Sequence, residues 1–183
     1  MSTPAEPITW GRFAWLALYL FVLAAQRVSE LVLSAHNVRR LIARGAREHG
    51  RTHFPYVVAL HAIYPISLVG EVLMGGSQTG PFASVWLGVW LAAQALRYSA
   101  IWALGERWTV RILVVPGASL VRRGPYRWIA HPNYLAVALE FLAAPLLFGA
   151  WRTALVFSLA SLTVMSVRIR CENRALAGLE TEP

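Results

Sequence analysis

Two short stretches of this chain hold side chains able to move a proton or grip an anion. One is Arg168-Ile169-Arg170-Cys171-Glu172-Asn173, in which Arg168 and Glu172 stand four residues apart and so share one helical face, with Arg170 and Asn173 as further donors nearby. The other is the corner Arg122-Arg123-Gly124-Pro125-Tyr126-Arg127-Trp128-Ile129-Ala130-His131-Pro132-Asn133-Tyr134, where cations and an imidazole concentrate. Gly124-Pro125 is a turn signal, and Pro132 fixes the φ that a first helical position needs. His131 is therefore expected at or next to an N-cap, where free backbone N–H groups and the helix dipole favour an anion. The apolar run that follows, Tyr134 to Phe148, carries one carboxylate, Glu140. The expected arrangement is a polar pocket at the mouth of a membrane helix.

Each stretch has a plainer reading. By spacing alone, an Arg and Glu at i,i+4 form a solvated helix face, and a His before Pro is a structural cap. What sets them apart is that both are expected on the same side of a membrane. Further ionisable groups lie within apolar runs: Arg27, Glu30, Glu71, Arg97 and Glu140. Each costs about 2.5–3.5 kcal/mol at mid-bilayer unless it faces protein or water. Arg27, Glu30 and Glu71 fall near run ends and are read as ion-paired or snorkelling. Arg97 and Glu140 are read equally as functional. His61 and His131 lack a second histidine in their runs, which argues against haem. The single Cys171 excludes an internal disulfide, and no metal site is expected.

The elements that must position these groups follow from composition. At 183 residues, with 57% hydrophobic and 14% charged residues, the chain has too little charge for a soluble surface and is expected to be one all-α integral membrane domain. About 20 residues cross the hydrocarbon core, so five spans can be drawn. They run from about Trp10 to Leu33, Pro55 to Met74, Phe82 to Leu104, Asn133 to Phe148 and Thr153 to Val167. The last continues without a stop into Arg168 to Leu179. Pro145 predicts that the fourth is tilted or turns back as a hairpin. Gly75 to Pro81 is a charge-free turn, and the acidic, proline-bearing Met1 to Pro7 lacks signal-peptide character, so the first run is expected to stay as an anchor.

The net charge of +8 comes wholly from arginine, since the chain has no lysine and no aspartate. The arginines number five after the first span, none after the second, five after the third, one after the fourth and three after the fifth. This alternation predicts an outside N-terminus, with both basic connections and the C-terminal tail on the cytoplasmic side. Arginine confined to such gaps meets anionic lipid rather than nucleic acid. No G-x-G-x-x-G loop follows a strand, so a soluble dinucleotide-type fold is not supported.

The Gly124–Tyr134 stretch, followed by Glu140 and by Arg168 to Leu176, resembles the signature of the isoprenylcysteine carboxyl methyltransferase family. With Arg97, Glu106-Arg107-Trp108-Thr109 and Pro116-Gly117, it is most similar to a bacterial branch that O-methylates alkylpyrones and alkylresorcinols. The resemblance covers residues 97–183; residues 1–96 supply the N-terminal spans. It implies a multi-helix membrane enzyme that holds S-adenosylmethionine at its cytoplasmic face and methylates a lipid, in a bacterial cytoplasmic membrane. Carried over by motif, Tyr126, His131, Pro132, Tyr134 and Leu135 border the cofactor, and Arg168 and Glu172 stand at the reacting centre with Glu140. Arg170 is grouped with the cofactor, and Arg97 and Trp108 with the acceptor. The chain departs from the family at Ala130, where a basic residue is usual, and at Glu172-Asn173, where a glutamate pair is common. Competing readings are a sterol-type reductase using NADPH, a phospholipid N-methyltransferase and a non-catalytic scaffold.

Overall fold

A computed structural model of the chain describes residues 10–74 and 82–177. The expected N-terminal stretch 1–7, the turn 75–81 and the last residues of the tail helix lie outside the described residues. Five helices carry the fold: α1 (Trp10–Ala43), α2 (Phe54–Met74), α3 (Ala83–Leu104), α4 (Pro132–Leu147) and α5 (Trp151–Ala177). The architecture is that of an all-α integral membrane protein. By length and apolarity alone, three described segments qualify as spans: Phe13–Ala43, Arg51–Met74 and Trp151–Ala177. α3 carries Gln94 and Arg97, and α4 has 16 residues, which reach about 24 Å against a core of about 30 Å.

The first helix runs ten residues past the expected end at Leu33. Its buried positions, Leu16, Tyr19, Gln26, Glu30, Ser34, Asn37 and Leu41, recur at spacings of three, four or seven residues along one stripe. Leu16, Tyr19 and Leu41 pack apolar carbon, Gln26 and Glu30 meet polar side chains, and Ser34 and Asn37 bind backbone. Asn37 donates to the carbonyls of Gly105 (3.2 Å) and Trp108 (2.8 Å), and Ser34 accepts from the Val110 N–H (3.0 Å). Arg40 and Arg44 pair with Glu106 at 2.5 and 2.7 Å. These partners extend the helix beyond the hydrocarbon.

A two-stranded antiparallel ribbon joins the two basic connections: β1 (Arg47–His49) pairs with β2 (Ile112–Val114), Arg47 opposite Val114. It is an addition to the all-α expectation, since three-residue strands are too short to show a period. After β1, Gly50 adopts φ +68°, and a Cβ there would overlap the His53 ring and the Cys171 sulfur, so the chain turns hard against α5.

α3 and α4 are the most closely packed helix pair. Their fully buried positions include Ala93, Ala100, Ala103, Ala136, Ala143 and Ala144, small residues that let backbones approach. Pro145 sits in the last turn of α4; the chain then reverses through Gly149 (φ +72°) into α5, giving the expected hairpin. Tyr64, Phe141 and Phe157 cluster edge-on and stacked at 5.0–6.0 Å between α2, α4 and α5. Tyr19 of α1 joins them through a 2.9 Å bond between its hydroxyl and that of Tyr64. At the end away from the ribbon, Glu71 accepts from the backbone N–H groups of Arg152 (3.0 Å) and Thr153 (2.6 Å). The expected ion-paired or snorkelling role of Glu71 is thus replaced by a cap on the first turn of α5.

Candidate active site at the basic end of the bundle

The His131 corner is held against α3. Arg123 donates from Nε to the Ala103 carbonyl (2.7 Å), and Gly124 takes φ +57° where a Cβ would come within 3.0 Å of Ala103. A single turn, Gly124–Arg127, follows and places Tyr126 inward. Burial, and then the nearby Glu172 carboxylate, push the Tyr126 phenol above its ordinary pKa, so it stays a neutral hydrogen-bonding group. His131 occupies the N-cap of α4, with Pro132 first in the helix, but the imidazole makes no capping bond. It reaches across to α5 instead.

There the two distant stretches meet. His131 Nε2 lies 3.0 Å from Asn173 Oδ1, and Nδ1 lies 3.8 Å from Glu172 Oε2. The Tyr134 hydroxyl donates to the same Glu172 oxygen at 2.5 Å, and the Tyr134 ring stacks on His131 with centroids 5.3 Å apart. The Arg168 guanidinium stands 5.5 Å over the Tyr134 ring and donates to the Val110 carbonyl at 2.9 Å. Arg168 is 5% exposed, far from the solvated helix face that its spacing alone would predict.

These groups wall two adjoining chambers. The outer one, about 470 Å³, is bordered by Arg107, Ser119, Leu120, Val121, Arg122 and Asn173. The inner one, about 150 Å³, is bordered by Trp108, Asn133, Tyr134 and Arg168, and reaches Arg27 and His61 at mid-helix positions of α1 and α2. Tyr126, His131 and Glu172 border both chambers. Two buried atoms of the inner wall, Trp108 Nε1 and Asn133 Oδ1, have no hydrogen-bond partner among the described residues.

Beneath the inner chamber lies a buried ion cluster. Arg97 donates to Glu140 from Nε (2.6 Å) and from Nη2, and its Nη1 is 3.3 Å from Glu30. Arg27 bridges Glu30 (2.7 Å) and Glu140 (2.9 Å), as its sequence position implied. Gln94 donates to Glu140 (2.9 Å) and accepts from Gln26 (2.9 Å), which also donates to Glu30 (3.0 Å).

Of the residues singled out in the sequence, Tyr126, His131, Tyr134, Arg168, Glu172, Trp108 and Arg97 border the chambers. Glu140 stands behind Arg97 in the ion cluster. Pro132 is fully buried and Leu135 is 42% exposed; neither borders a chamber. Arg170 lies on a separate surface hollow with His49, Cys171 and Arg174. Sequence reasoning passed over Asn133, His61, Ser119 and Arg122 as wall residues. For Asn133 the signal was its place between Pro132 and Tyr134, and for Arg122 its place in the run of cations leading into Gly124-Pro125; for His61 and Ser119 there was none, because distant segments bring them in.

The sequence pattern of the isoprenylcysteine carboxyl methyltransferase family matches residues 86–178. Among curated proteins, the uncharacterized protein YpbQ of Bacillus subtilis (strain 168) is 42% identical over 162 residues, covering 87% of this chain and 95% of its own length. An uncharacterized protein of Haemophilus influenzae is 28% identical over 156 residues, covering 85% of this chain and 91% of its own. No solved structure matches.

Proposed function

Because the chain belongs to the isoprenylcysteine carboxyl methyltransferase family, a family of membrane methyltransferases, we propose that it transfers a methyl group from S-adenosylmethionine to an oxygen of a lipophilic acceptor. The acceptor is an alkylpyrone- or alkylresorcinol-type hydroxyl or a prenylcysteine-type carboxylate. The basic end of the bundle faces the cytoplasm of a bacterial cell in this reading, in keeping with the arginine distribution. The observation that supports it most is the meeting of His131 and Tyr134 of α4 with Glu172 and Asn173 of α5 between two adjoining chambers.

The residues present fit the cofactor. The outer chamber falls within the roughly 300–1,000 Å³ of small-molecule sites. It offers guanidinium groups, Arg107 and Arg122, for a carboxylate, apolar Leu120 and Val121 for a ring, and the Glu172 carboxylate for a positive centre. When bound, the cofactor supplies an electrophilic methyl on sulfonium sulfur; the S–CH3 bond breaks as the O–CH3 bond forms, leaving a neutral thioether. The chain's part is alignment and exclusion of water. Arg168, fixed by the Val110 carbonyl and the Tyr134 ring, orients the acceptor oxygen. A hydroxyl acceptor gives its proton to Glu172, which must first release the Tyr134 hydroxyl. A carboxylate acceptor needs no base.

The test uses detergent-purified protein with methyl-labelled cofactor and lipid extract. Glu172→Gln and His131→Ala should each abolish transfer while keeping the wild-type melting transition, and retained transfer in both would refute the site. S-adenosylhomocysteine should raise the melting temperature. A rise with NADPH alone would instead establish the reductase reading, and methylation only of phospholipid amine would establish N-methyltransfer.

A further inference from the structure

Arg170 and Arg174 stand one helical turn apart on the outer face of α5, away from the chambers. Both are exposed, and neither side chain has a hydrogen bond or ion pair among the described residues. With His49, Val167, Cys171 and Ala175 they line a surface hollow of about 580 Å³. No carboxylate borders it among the described residues. Glu48, beside His49 on β1, is engaged by Arg51 (2.9 Å) and Arg111 (3.4 Å), and Glu172 is turned to the chambers by Tyr134. The fold also sets the hollow's shape. Gly50 turns the end of β1 hard onto α5, where a Cβ would stand 2.9 Å from Cys171 Sγ, and this brings His49 to the hollow that the arginines line from α5.

The surface leading away from the hollow decides which anion belongs there. Along α5, Val156, Leu159, Thr163, Val167, Arg170 and Arg174 recur at three- and four-residue spacing and are all exposed, so they form one stripe. Its first part is apolar, with the Thr163 hydroxyl engaged by the Leu159 carbonyl (2.9 Å). The change to cation falls between Val167 and Arg170. From Val156 to Val167 the helix rises about 17 Å, close to one leaflet of a hydrocarbon core about 30 Å thick. A soluble anion would use the cations alone and leave that ordering without a purpose. We infer that the hollow binds an anionic phospholipid, its phosphate between Arg170, Arg174 and His49 and an acyl chain along Val167, Thr163, Leu159 and Val156. The guanidiniums give charge-assisted hydrogen bonds to the phosphate oxygens. A zwitterionic head group brings its own cation against them and is disfavoured. This chemistry does not depend on the methyltransferase reading, but its place bears on the candidate site. Glu172 is two residues from each arginine, about 200° around the helix, where it meets Tyr134. The lipid therefore pins from outside the same turns of α5 that α4 holds from inside.

Native mass spectrometry of the full chain in detergent tests this with dioleoyl-phosphatidylglycerol, dioleoyl-phosphatidylcholine and inorganic phosphate as probes. The wild type should retain one phosphatidylglycerol in preference to phosphatidylcholine. Arg170→Gln and Arg174→Gln should each weaken phosphatidylglycerol about fivefold, the scale of one basic residue at an anionic leaflet, and the double variant about 25-fold. A control pair, Arg39→Gln with Arg127→Gln, removes the same charge from exposed positions outside the hollow and should change binding by less than about twofold. A wild-type melting transition without added lipid reports folding, and either folded single variant suffices. Equal retention of the two lipids overturns the inference, as does unchanged phosphatidylglycerol binding in a folded variant. A control pair that loses as much as the double variant also overturns it, by reducing the hollow to diffuse surface charge. Millimolar inorganic phosphate should leave the lipid in place; displacement would give the hollow to a soluble anion instead.

Discussion

Replacing Glu140 by Gln removes one negative charge from a cluster in which Arg97, Glu30 and Glu140 side chains are 2%, 6% and 7% exposed. In the wild type two guanidiniums face two carboxylates. The variant leaves Arg27 and Arg97 sharing Glu30 alone, which holds Arg27 at 2.7 Å but Arg97 only at 3.3 Å. Breaking one partner of a buried pair costs about 3–5 kcal/mol, since the surviving charge keeps its desolvation penalty. For a chain of this size that lowers the melting temperature by about 6–20 °C. Arg97→Met alone should cost a similar amount. The double variant Arg97→Met, Glu140→Gln restores neutrality, with Arg27 still paired to Glu30, and should lie within about 1–2 kcal/mol of wild type. Scanning calorimetry in one detergent, read as a double-mutant cycle, measures the coupling. Glu140→Gln melting with the wild type, or single losses that simply add in the double variant, would refute the description of this cluster as a desolvated charge pair.

Two smaller predictions concern the ends of the bundle. Glu71→Ala removes the acceptor for the first N–H groups of α5 and should cost about 1–2 kcal/mol, read as a lower melting temperature with unchanged S-adenosylhomocysteine affinity. At the other end, the hydrogen bond and charge of Arg44, then the charge of Arg40, hold the exposed Glu106 carboxyl below its ordinary pKa. The unfolded carboxyl takes up its proton at higher pH than the folded one, so this clamp stabilises above the unfolded value and is lost as pH falls through the folded one. Melting temperatures of wild type and Glu106→Gln between pH 6 and pH 3 should converge as the solution acidifies.

The spans were legible because apolar length is written in the sequence, and α2, α3 and α5 begin and end close to where hydropathy put them. The tail of α1 was not, since Ser34 and Asn37 carry no apolar signal and are buried only because the 105–110 segment, some seventy residues on, offers them carbonyls and an N–H. The ribbon escaped for the same reason: pairing between Arg47–His49 and Ile112–Val114 is set by tertiary contact. At the candidate site, four-residue spacing correctly put Arg168 and Glu172 on one face. Arg170 follows Arg168 by two residues, about 200° around the helix, which turns it to the Cys171 hollow rather than to the chambers. Leu135 is likewise rotated by one position from Tyr134. Periodicity contained this information, but the family signature groups residues by sequence neighbourhood and not by face.

Of the carboxylates near the chambers, Glu140 and Glu172 are not equivalent as proton acceptors, and the difference follows from counting donors. Glu140 receives Arg97 twice, Arg27 once and Gln94 once, which occupies both oxygens. Taking a proton there would break charge-assisted bonds and leave two arginines short of a partner, so its best use is to hold α1, α3 and α4 together below the inner chamber. Glu172 receives a single phenol at Oε2, is 29% exposed at the side chain and borders both chambers. Exchanging the Tyr134 hydroxyl for an acceptor hydroxyl swaps one O–H donor for another, so the carboxylate meets its substrate without losing a hydrogen bond. That exchange predicts that Tyr134→Phe binds a hydroxylated acceptor at least as well as wild type, yet loses turnover through the misplaced Glu172.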